Sequence, residues 1–599
     1  MKKIYTIAAL VASMTFQSCS DMMTELNPNN TTTDQYWENL DHTNATLTSV
    51  YNALYHHDLL TIETSTLTSD MGYPGYGRNG NTTNTALTIY YDHTYTSSSD
   101  DVAGKWAALY TGIFRANQVI EALENLVKEG TVLADSKEYI SQMAQARFFR
   151  GLFHFYLHSV YNKGNIIYFD FVPKQQSDYY QSLTPAAEVQ EKFRKDLVYA
   201  YENLPVNYAM TKDAGRVTKG AAATILGISH VYASDFINAE PYFEEVINDC
   251  GYSLAPAEIL FTAEKGELNS ESIFEVCYSA GLKPELDEYD EHSLTNRLGR
   301  TYTYQSFTVP SWLLNAYQNE DMDMLDPRNS VTNAYKVVDG NVYPRTNRLM
   351  SLRGSAMLAS VECEDVPYYL SAMTTESSQL NVSDKTGVGF YRKYTNWDIV
   401  SKEDEAGEGR NKSGKNVTIN RLSEVYLLYA ECLIERGEVE EALKYINAIR
   451  KRWGLVLRGL SNGDVTRTYD EVAYTKESLM DLLRYVEKPL ELSAEGHFIR
   501  HIDLRRWNIA KENYENLSKD TYVLLNYSYV ATKDKIADDG KIKVTVKKKA
   551  FMQPENNEPK NVPRVGDYYM QAAQNYDNAG AGYWPIPLLE EQNNPNLYK

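Results

Sequence analysis

The chain has 599 residues, with 59 Lys and Arg against 80 Asp and Glu, for a net charge of −21. That balance excludes a nucleic-acid binder, which needs a basic surface to displace counterions from phosphates. It suits a soluble surface that meets uncharged ligands. Five cysteines in so long a chain make no disulfide framework. Cys250, Cys277, Cys363 and Cys432 lack the spacing of zinc ligands, and Cys432 falls on an apolar helix face as a small hydrophobe. Tyrosine is the outlier, at 48 Tyr against 17 Phe and 7 Trp. A ring with apolar faces and a hydroxyl suits a surface that binds while staying wet.

In chain order, Lys2 and Lys3 precede an apolar run over residues 4–16. The run is too short to span a bilayer as a mature helix and reads as a removable signal. Cys19 follows Gln17-Ser18 as a lipobox cysteine would. Residues 1–18 are therefore expected to be a lipoprotein signal peptide, with Cys19 as the lipidation site. Residues 19–35 form a polar tether, and residues 36–599 the folded body. No later stretch has the length of a membrane span.

Helical spacing of apolar residues predicts three pairs within 43–250. The first joins 43–57 to 105–127, where Trp106, Leu109, Ile113, Ala116, Ile120 and Leu123 share a face. The second joins 138–161, with Ala146, Phe149, Phe153, Tyr156 and Val160 on one side, to 186–204. The third joins 218–234 to 238–249. Residues 252–420 then lose helical periodicity and are rich in Tyr, Ser, Asn and Gly. An irregular insertion of this size in a helical body is expected to carry function. Residues 401–416 read as a solvated loop by composition.

A fourth pair follows within 421–510. Leu422, Val425, Tyr429 and Cys432 repeat at 3-4-3 spacing, as do Val439, Ala442, Ile446 and Ile449. Gly437 between them fits a left-handed helix end, and Ala430 and Ala442 allow close approach. This is a helical hairpin of tetratricopeptide size. In the C-terminal segment 511–599, residues 541–549 alternate after Asp539-Gly540 and read as a hairpin strand, with lysines protecting an edge.

Three blocks carry a resemblance. They are RLSEVYLLYAECLIERGEVEEALKYINAIRKRW at 421–453, ELSAEGHFIRHIDLRRW at 491–507 and WPIPLLEEQNNPNL at 584–597. In order and spacing they resemble the SusD/RagB family of Bacteroidetes outer-membrane nutrient-binding lipoproteins. Residues 144–161 and 220–252 resemble its second and third helical units. One departure is Phe-Ile-Arg-His after His497, in place of Arg-Phe-Phe. The resemblance implies a mostly α fold, a tetratricopeptide-like scaffold of about four pairs carrying a loop-rich binding region. It implies a cell-surface protein, lipid-anchored on the extracellular face of the outer membrane. Such a protein captures an oligo- or polysaccharide and delivers it to a SusC-like TonB-dependent barrel. No cofactor, metal, nucleic acid or catalysis is implied. The alternative of the same fold is a peptide- or protein-binding lipoprotein.

The site expectation rests on residues 70–95, DMGYPGYGRNGNTTNTALTIYYDHTY. Four glycines place Tyr73, Tyr76 and Arg78 on a loop, and Tyr91 and Tyr95 follow before the Trp106 helix. Sugars offer C–H faces to aromatic rings and hydroxyls to planar donors. In the family, an aromatic in a His-Thr-aromatic stretch belongs to the glycan platform, and His93-Thr94-Tyr95 matches it. An upstream arginine matches Arg78. Tyr302 and Tyr304 in the insertion are expected to complete the arc. Trp312 is expected to be structural, and Trp397 is a weaker candidate. His497 and His501, four apart near Glu495, form a candidate metal pair. The Glu does not have zinc-protease spacing, the segment falls where the family has a structural helix, and Arg500, Arg505 and Arg506 are expected to tie that helix to neighbours through carboxylates and helix C-termini. No nucleophile elbow, P-loop or dinucleotide fingerprint is present. No carboxylate pair stands out to make a hydrolase of a third reading.

Overall fold

The structure is a computed structural model. It describes residues 37–74, 85–208, 213–279, 307–338, 341–359, 390–399, 414–520, 522–530, 546–554, 564–565, 569–578 and 580–599. The signal segment 1–18, Cys19 and the whole of the tether lie outside the described residues, as do residues 401–413 of the proposed solvated loop.

Each predicted helical pair forms. Helix α1 (Leu40–Asn52) precedes α2 (Asp100–Lys128), and α3 (Lys137–Val160) precedes α4 (Ala186–Asn203). Then come α5 (Lys219–Tyr232) and α6 (Phe236–Asn248). Helix α7 (Ser311–Gln318) lies in the insertion; α8 (Leu422–Arg436) and α9 (Val439–Arg452) form the fourth pair. Side-chain caps set the starts of α1, α3 and α5. Asn39 accepts from the Asp41 and His42 amides, Ser136 from Tyr139 and Thr218 from Ala221. Gly437 ends α8 at φ 85°, the left-handed conformation expected of it.

The array is continuous. Helix α1 packs on α2, and α2 on α3; the contacts then run through α4 and α5 to α6, from α6 to α8, and from α8 to α9. The insertion is bypassed, and the fourth pair closes directly on the third. The core runs along this row, with Leu109, Phe149, Phe153, Phe193, Leu226, Phe243, Leu428 and Ile446 buried together. Ala430 and Ala442 are fully buried at the last crossing.

The insertion and C-terminal segment add short strands. A two-residue strand, β1 (Tyr73–Pro74), pairs antiparallel with β3 (Phe307–Thr308), and β2 (Ser272–Val276) with β8 (Val417–Arg421). A larger sheet runs β10-β9-β4-β5, from β4 (Ser330–Val338), β5 (Asn341–Asn347), β9 (Tyr522–Val530) and β10 (Val546–Pro554); β11 (Arg564–Val565) also pairs with β9. Of the stretch 541–549, residues 541–545 lie outside the described residues; the rest belongs to β10, which ends the sheet and so places Lys547–Lys549 on an edge. Strand β6 (Leu358–Ala359) pairs with β7 (Phe390–Tyr391). Among the described residues no helix is long and apolar enough to cross a membrane.

Candidate functional site

The segment with most site expectations begins at a buried hub. Asp70 is fully buried, on the turn between helix Ile62–Leu67 and β1. Its carboxylate receives a forked pair from Arg500, Nε at 2.8 Å and Nη2 at 2.7 Å, and the Asn513 amide at 2.9 Å. Its carbonyl accepts from Trp312 Nε1 at 2.6 Å and Tyr569 Oη at 3.1 Å. Burial opposes the Arg500 charge, but the Asp70 carboxylate outweighs it and raises the guanidinium pKa. One residue on, the Met71 carbonyl accepts from Tyr391 Oη at 2.8 Å, which ties β7 to the same turn. Trp312 is structural, as the sequence implied.

This hub fixes where three long segments leave the framework. Pro74 pairs with Phe307, so residues 75 and 306 are the next positions at one end of the β1–β3 pair. Ala359 pairs with Phe390, so residues 360 and 389 leave one end of the β6–β7 pair. Strand β3 packs against β7. Segments 75–84, 280–306 and 360–389 thus start or end around Asp70. Tyr76, Arg78, Tyr302 and Tyr304 all fall on them, outside the described residues.

The other three expected site tyrosines are core residues, which corrects the expectation that they face a glycan. Tyr73, Tyr91 and Tyr95 are 4%, 1% and 5% exposed. Tyr73 packs edge-on to Tyr91 at 5.7 Å, and Tyr91 lies 5.0 Å from Tyr569. Tyr95 sits between Tyr90 at 5.9 Å and Trp584 at 6.1 Å. Helix Thr85–Tyr91 ends in a turn with His93 at φ 53°, and Tyr95 follows that turn into the core. His93 packs on Tyr514 and Tyr576, and burial, with His501 next, lowers its pKa to about 3. The match of His93-Thr94-Tyr95 to a platform motif is one of residue type only.

His497 and His501 do not form a metal pair. The His497 ring stacks on Tyr156 at 3.6 Å, while His501 Nδ1 and Nε2 lie 3.0 and 2.8 Å from the carbonyl oxygens of Thr68 and Gly582. Burial lowers the His501 pKa to about 4. The arginines beside them are ties between elements. Arg505 donates to Gly582 and to Ser159 in the last turn of α3, both at 2.6 Å, and Arg506 forks onto Glu431 of α8 at 2.6 Å twice. Among the described residues His56, His57 and Asp58 lie close enough to share an ion. They are consecutive at the start of a four-residue helix, where His56 Nδ1 accepts from the Asp58 amide as its cap.

The block around Glu491 proves equally structural. Arg421 donates to Glu495 at 2.7 Å, to Glu271 at 2.8 Å and to Glu491 at 2.7 Å, all buried. Arg353, fully buried, joins Glu320 at 2.8 Å and Glu487 at 3.1 Å, and Arg450 meets Glu487 at 2.5 Å. This lattice bolts the fourth hairpin to the insertion. The expected ties of Arg500, Arg505 and Arg506 to carboxylates and a helix C-terminus are present, to Asp70, Ser159 and Glu431; the sequence names none of these partners, which lie tens to hundreds of residues away.

A row of tetratricopeptide-like helical pairs, interrupted by one long insertion that sends Trp312 and Tyr391 to a buried hub, defines a helical-repeat scaffold. Residues 270–599 match the SusD family, and residues 45–232 match a family described as starch-binding and associating with the outer membrane. The chain belongs to the SusD family. A SusD-like protein of Formosa agariphila is 23% identical over 421 residues, which is 69% of this chain and 72% of that one. A SusD-like protein of Bacteroides ovatus is 25% identical over 370 residues, 60% of each chain. Among solved structures, a SusD superfamily protein of Bacteroides vulgatus superposes with a TM-score of 0.63 at 18% identity, covering 94% of this chain and 98% of that one. A SusD-like carbohydrate-binding protein of Bacteroides fragilis gives 0.62 at 18%, covering 94% and 99%.

Proposed function

We propose that this protein captures an oligo- or polysaccharide at the outer face of the outer membrane and passes it to a SusC-like TonB-dependent barrel, held there by a lipid on Cys19. Binding uses the segments that leave the Asp70 hub, with Tyr76, Arg78, Tyr302 and Tyr304 as contacts. The observation that carries this reading is the pairing of Pro74 with Phe307. It brings the attachment points of two tyrosine-bearing segments together, although more than 230 positions separate them in the chain. Tyr76 lies two residues beyond Pro74 and Tyr304 three before Phe307. At roughly 3.3–3.6 Å per extended residue, both remain within about 11 Å of the shared strand end. Family membership supplies the ligand class, and the net charge of −21 favours an uncharged ligand. No bond-making step is part of the role.

Titration of the chain from Ser20 onward against a polysaccharide panel tests the reading. Tyr76→Ala, Arg78→Ala and Tyr304→Ala should each weaken binding by about 1–3 kcal/mol, the scale of losing an anchoring side chain from an interface. Melting temperatures should hold. Binding of peptides instead of glycans, or release of reducing ends from a bound glycan, would replace the reading. Labelled fatty acid should enter the full-length protein and not Cys19→Ala.

A further inference from the structure

A second aromatic cleft lies away from the Asp70 hub, on the helical scaffold itself. Its volume is about 480 Å³, within the usual range for small-molecule sites, about 300–1,000 Å³. Helix α2 supplies the floor with Trp106 and Ile113, both buried, and Ile167 completes it. Tyr110, Phe114 and Phe169 form half-buried walls. The rim carries Phe171 and Tyr179, 39% and 47% exposed. Opposite them stands helix α12 (Leu588–Asn593), reached after α10 (Ile499–Arg506), α11 (Ala510–Leu517) and further short helices; it offers Glu590 and Asn593.

The cleft is built rather than incidental. Tyr110 Oη donates to the Ile167 carbonyl at 2.6 Å and fixes its ring. The Asn117 amide donates to the carbonyls of Phe169 and Phe171, both at 3.0 Å, and so holds the loop that bears two of the rings. Trp106, Tyr110, Phe169 and Phe171 then follow one another at centroid separations of 4.8, 5.8 and 5.6 Å. The far wall is pinned by the terminal NNPNL motif. Asn594 donates to the Gln181 carbonyl at 2.8 Å, and Asn596 to that of Tyr180 at 2.8 Å.

The lining selects its ligand by chemistry. It contains Glu590 and no Lys or Arg, so an anionic ligand is disfavoured. Aromatic rings rather than aliphatic chains make the walls, and Gln176, Asn593 and Glu590 add planar hydrogen-bonding groups at the edge. A pyranose presents apolar C–H faces with hydroxyls around its edge, and matches both features. We propose that this cleft is a second carbohydrate site, stacking a short run of neutral sugar rings on the helical scaffold. It rests on the glycan-capture reading and adds a contact point independent of the Asp70 loops.

Calorimetric titration of the chain from Ser20 onward with maltohexaose, cellohexaose, xylohexaose and hexagalacturonate tests it. Four proteins are compared: wild type, Phe171→Ala/Tyr179→Ala, Tyr76→Ala/Tyr304→Ala, and the variant that combines all four substitutions. Because Phe171 and Tyr179 are exposed, their variant should melt as wild type does. At least one neutral hexamer should bind, and the loop variant should retain a site whose affinity drops at least tenfold when the rim pair is also removed. Hexagalacturonate should bind that site at least tenfold more weakly than the neutral hexamer. An unchanged titration in the rim variant overturns the cleft while leaving glycan capture intact. Loss in the rim variant alone keeps the cleft and overturns the loops. No binding by any hexamer at millimolar concentration overturns both.

Discussion

The fourth helical hairpin and the Asp70 hub are both buried, yet they are assembled from opposite kinds of contact. The hairpin packs Leu422–Arg436 on Val439–Arg452 across Gly437 and Glu438 alone, so its apolar partners are near neighbours in sequence. Asp70 collects partners 242, 430, 443 and 499 residues away. A local unit gains its packing with little loop closure, whereas the hub forms only once distant segments have been placed. The scaffold therefore stands by itself, and the hub depends on it. Function is then expected where the dependent region opens outward, at segments that no helical stripe constrains.

The joint between the two regions is the place to break that comparison. Arg421 begins the hairpin and reaches Glu271 of the insertion and Glu491 and Glu495 of the C-terminal block, all within 2.8 Å. Arg421→Ala leaves three buried carboxylates without their shared partner. The carboxylates keep Arg452, which pairs with Glu271 and Glu491, and Lys393, which pairs with Glu495; the expected cost is about 4 kcal/mol, within the range for removing one partner of a buried ion pair. Chemical denaturation measures it. A loss below about 1 kcal/mol would mean that the hairpin and the insertion are not coupled through this lattice.

Tyr95 separates core from site. Its buried ring packs on Tyr90 and Trp584, so Tyr95→Ala should cost roughly 3–4 kcal/mol of stability, as for other buried aromatic truncations. Affinity for a bound glycan, measured well below the melting temperature, should hold. The reverse pattern, a stable variant with lost affinity, would return Tyr95 to the platform.

Glu424 sharpens the picture of the joint through pH. It is buried on α8 and accepts from Asn420 at 2.7 Å; Tyr156, Lys488, Glu495 and Asp503 are close enough to bear on its charge. Burial first, opposed by Asn420 and Lys488, raises its pKa to about 7. A carboxyl whose folded pKa exceeds its unfolded value binds its proton more tightly when folded. Its contribution is thus most favourable below about pH 4.5 and is lost as pH rises through 7. Glu424→Gln keeps the shape and removes the charge. It should stabilise by roughly 2–3 kcal/mol at pH 8 and by almost nothing at pH 4.5. Parallel denaturation curves at the two pH values decide it, and equal shifts would show that ionisation is not the cause.

What could be read in the sequence follows the same division. The helices were legible because Leu422, Val425, Tyr429 and Cys432 report a face by spacing alone. The blocks that resemble the SusD family were legible as text, and the tying role of Arg500, Arg505 and Arg506 with them, but the partners were not. Glu491, Glu495, Arg500 and Arg506 are ligands of buried ion pairs whose partners no periodicity connects. A glycine-rich stretch suggests exposure for Tyr73, and position before the Trp106 helix, with the likeness of His93-Thr94-Tyr95 to a platform motif, suggests it for Tyr91 and Tyr95. The left-handed His93 and the long-range packing against Tyr569 and Trp584 decide the matter instead. The scaffold cleft was missed for a related reason. Trp106 and Ile113 carry the helical stripe, and a stripe does not show which part of it the partner helices leave open.

Gly437 gives the smallest and cleanest test of how local the hairpin is. It sits at φ 85°, and a Cβ added there meets no atom within 4 Å. Gly437→Ala therefore creates no clash and removes no contact; only the cost of a left-handed alanine remains, about 1 kcal/mol. Gly437→Asn should cost less, since asparagine tolerates that conformation better. Both variants should leave the Arg421 lattice and glycan affinity untouched. Measured by denaturation in parallel with titration, the two should differ in stability in that order and coincide in binding. A Gly437→Ala variant that lost several kcal/mol, or that lost affinity, would show the hairpin turn coupled to the distant loops, and the separation of a self-standing scaffold from a dependent binding region would fail at its simplest point.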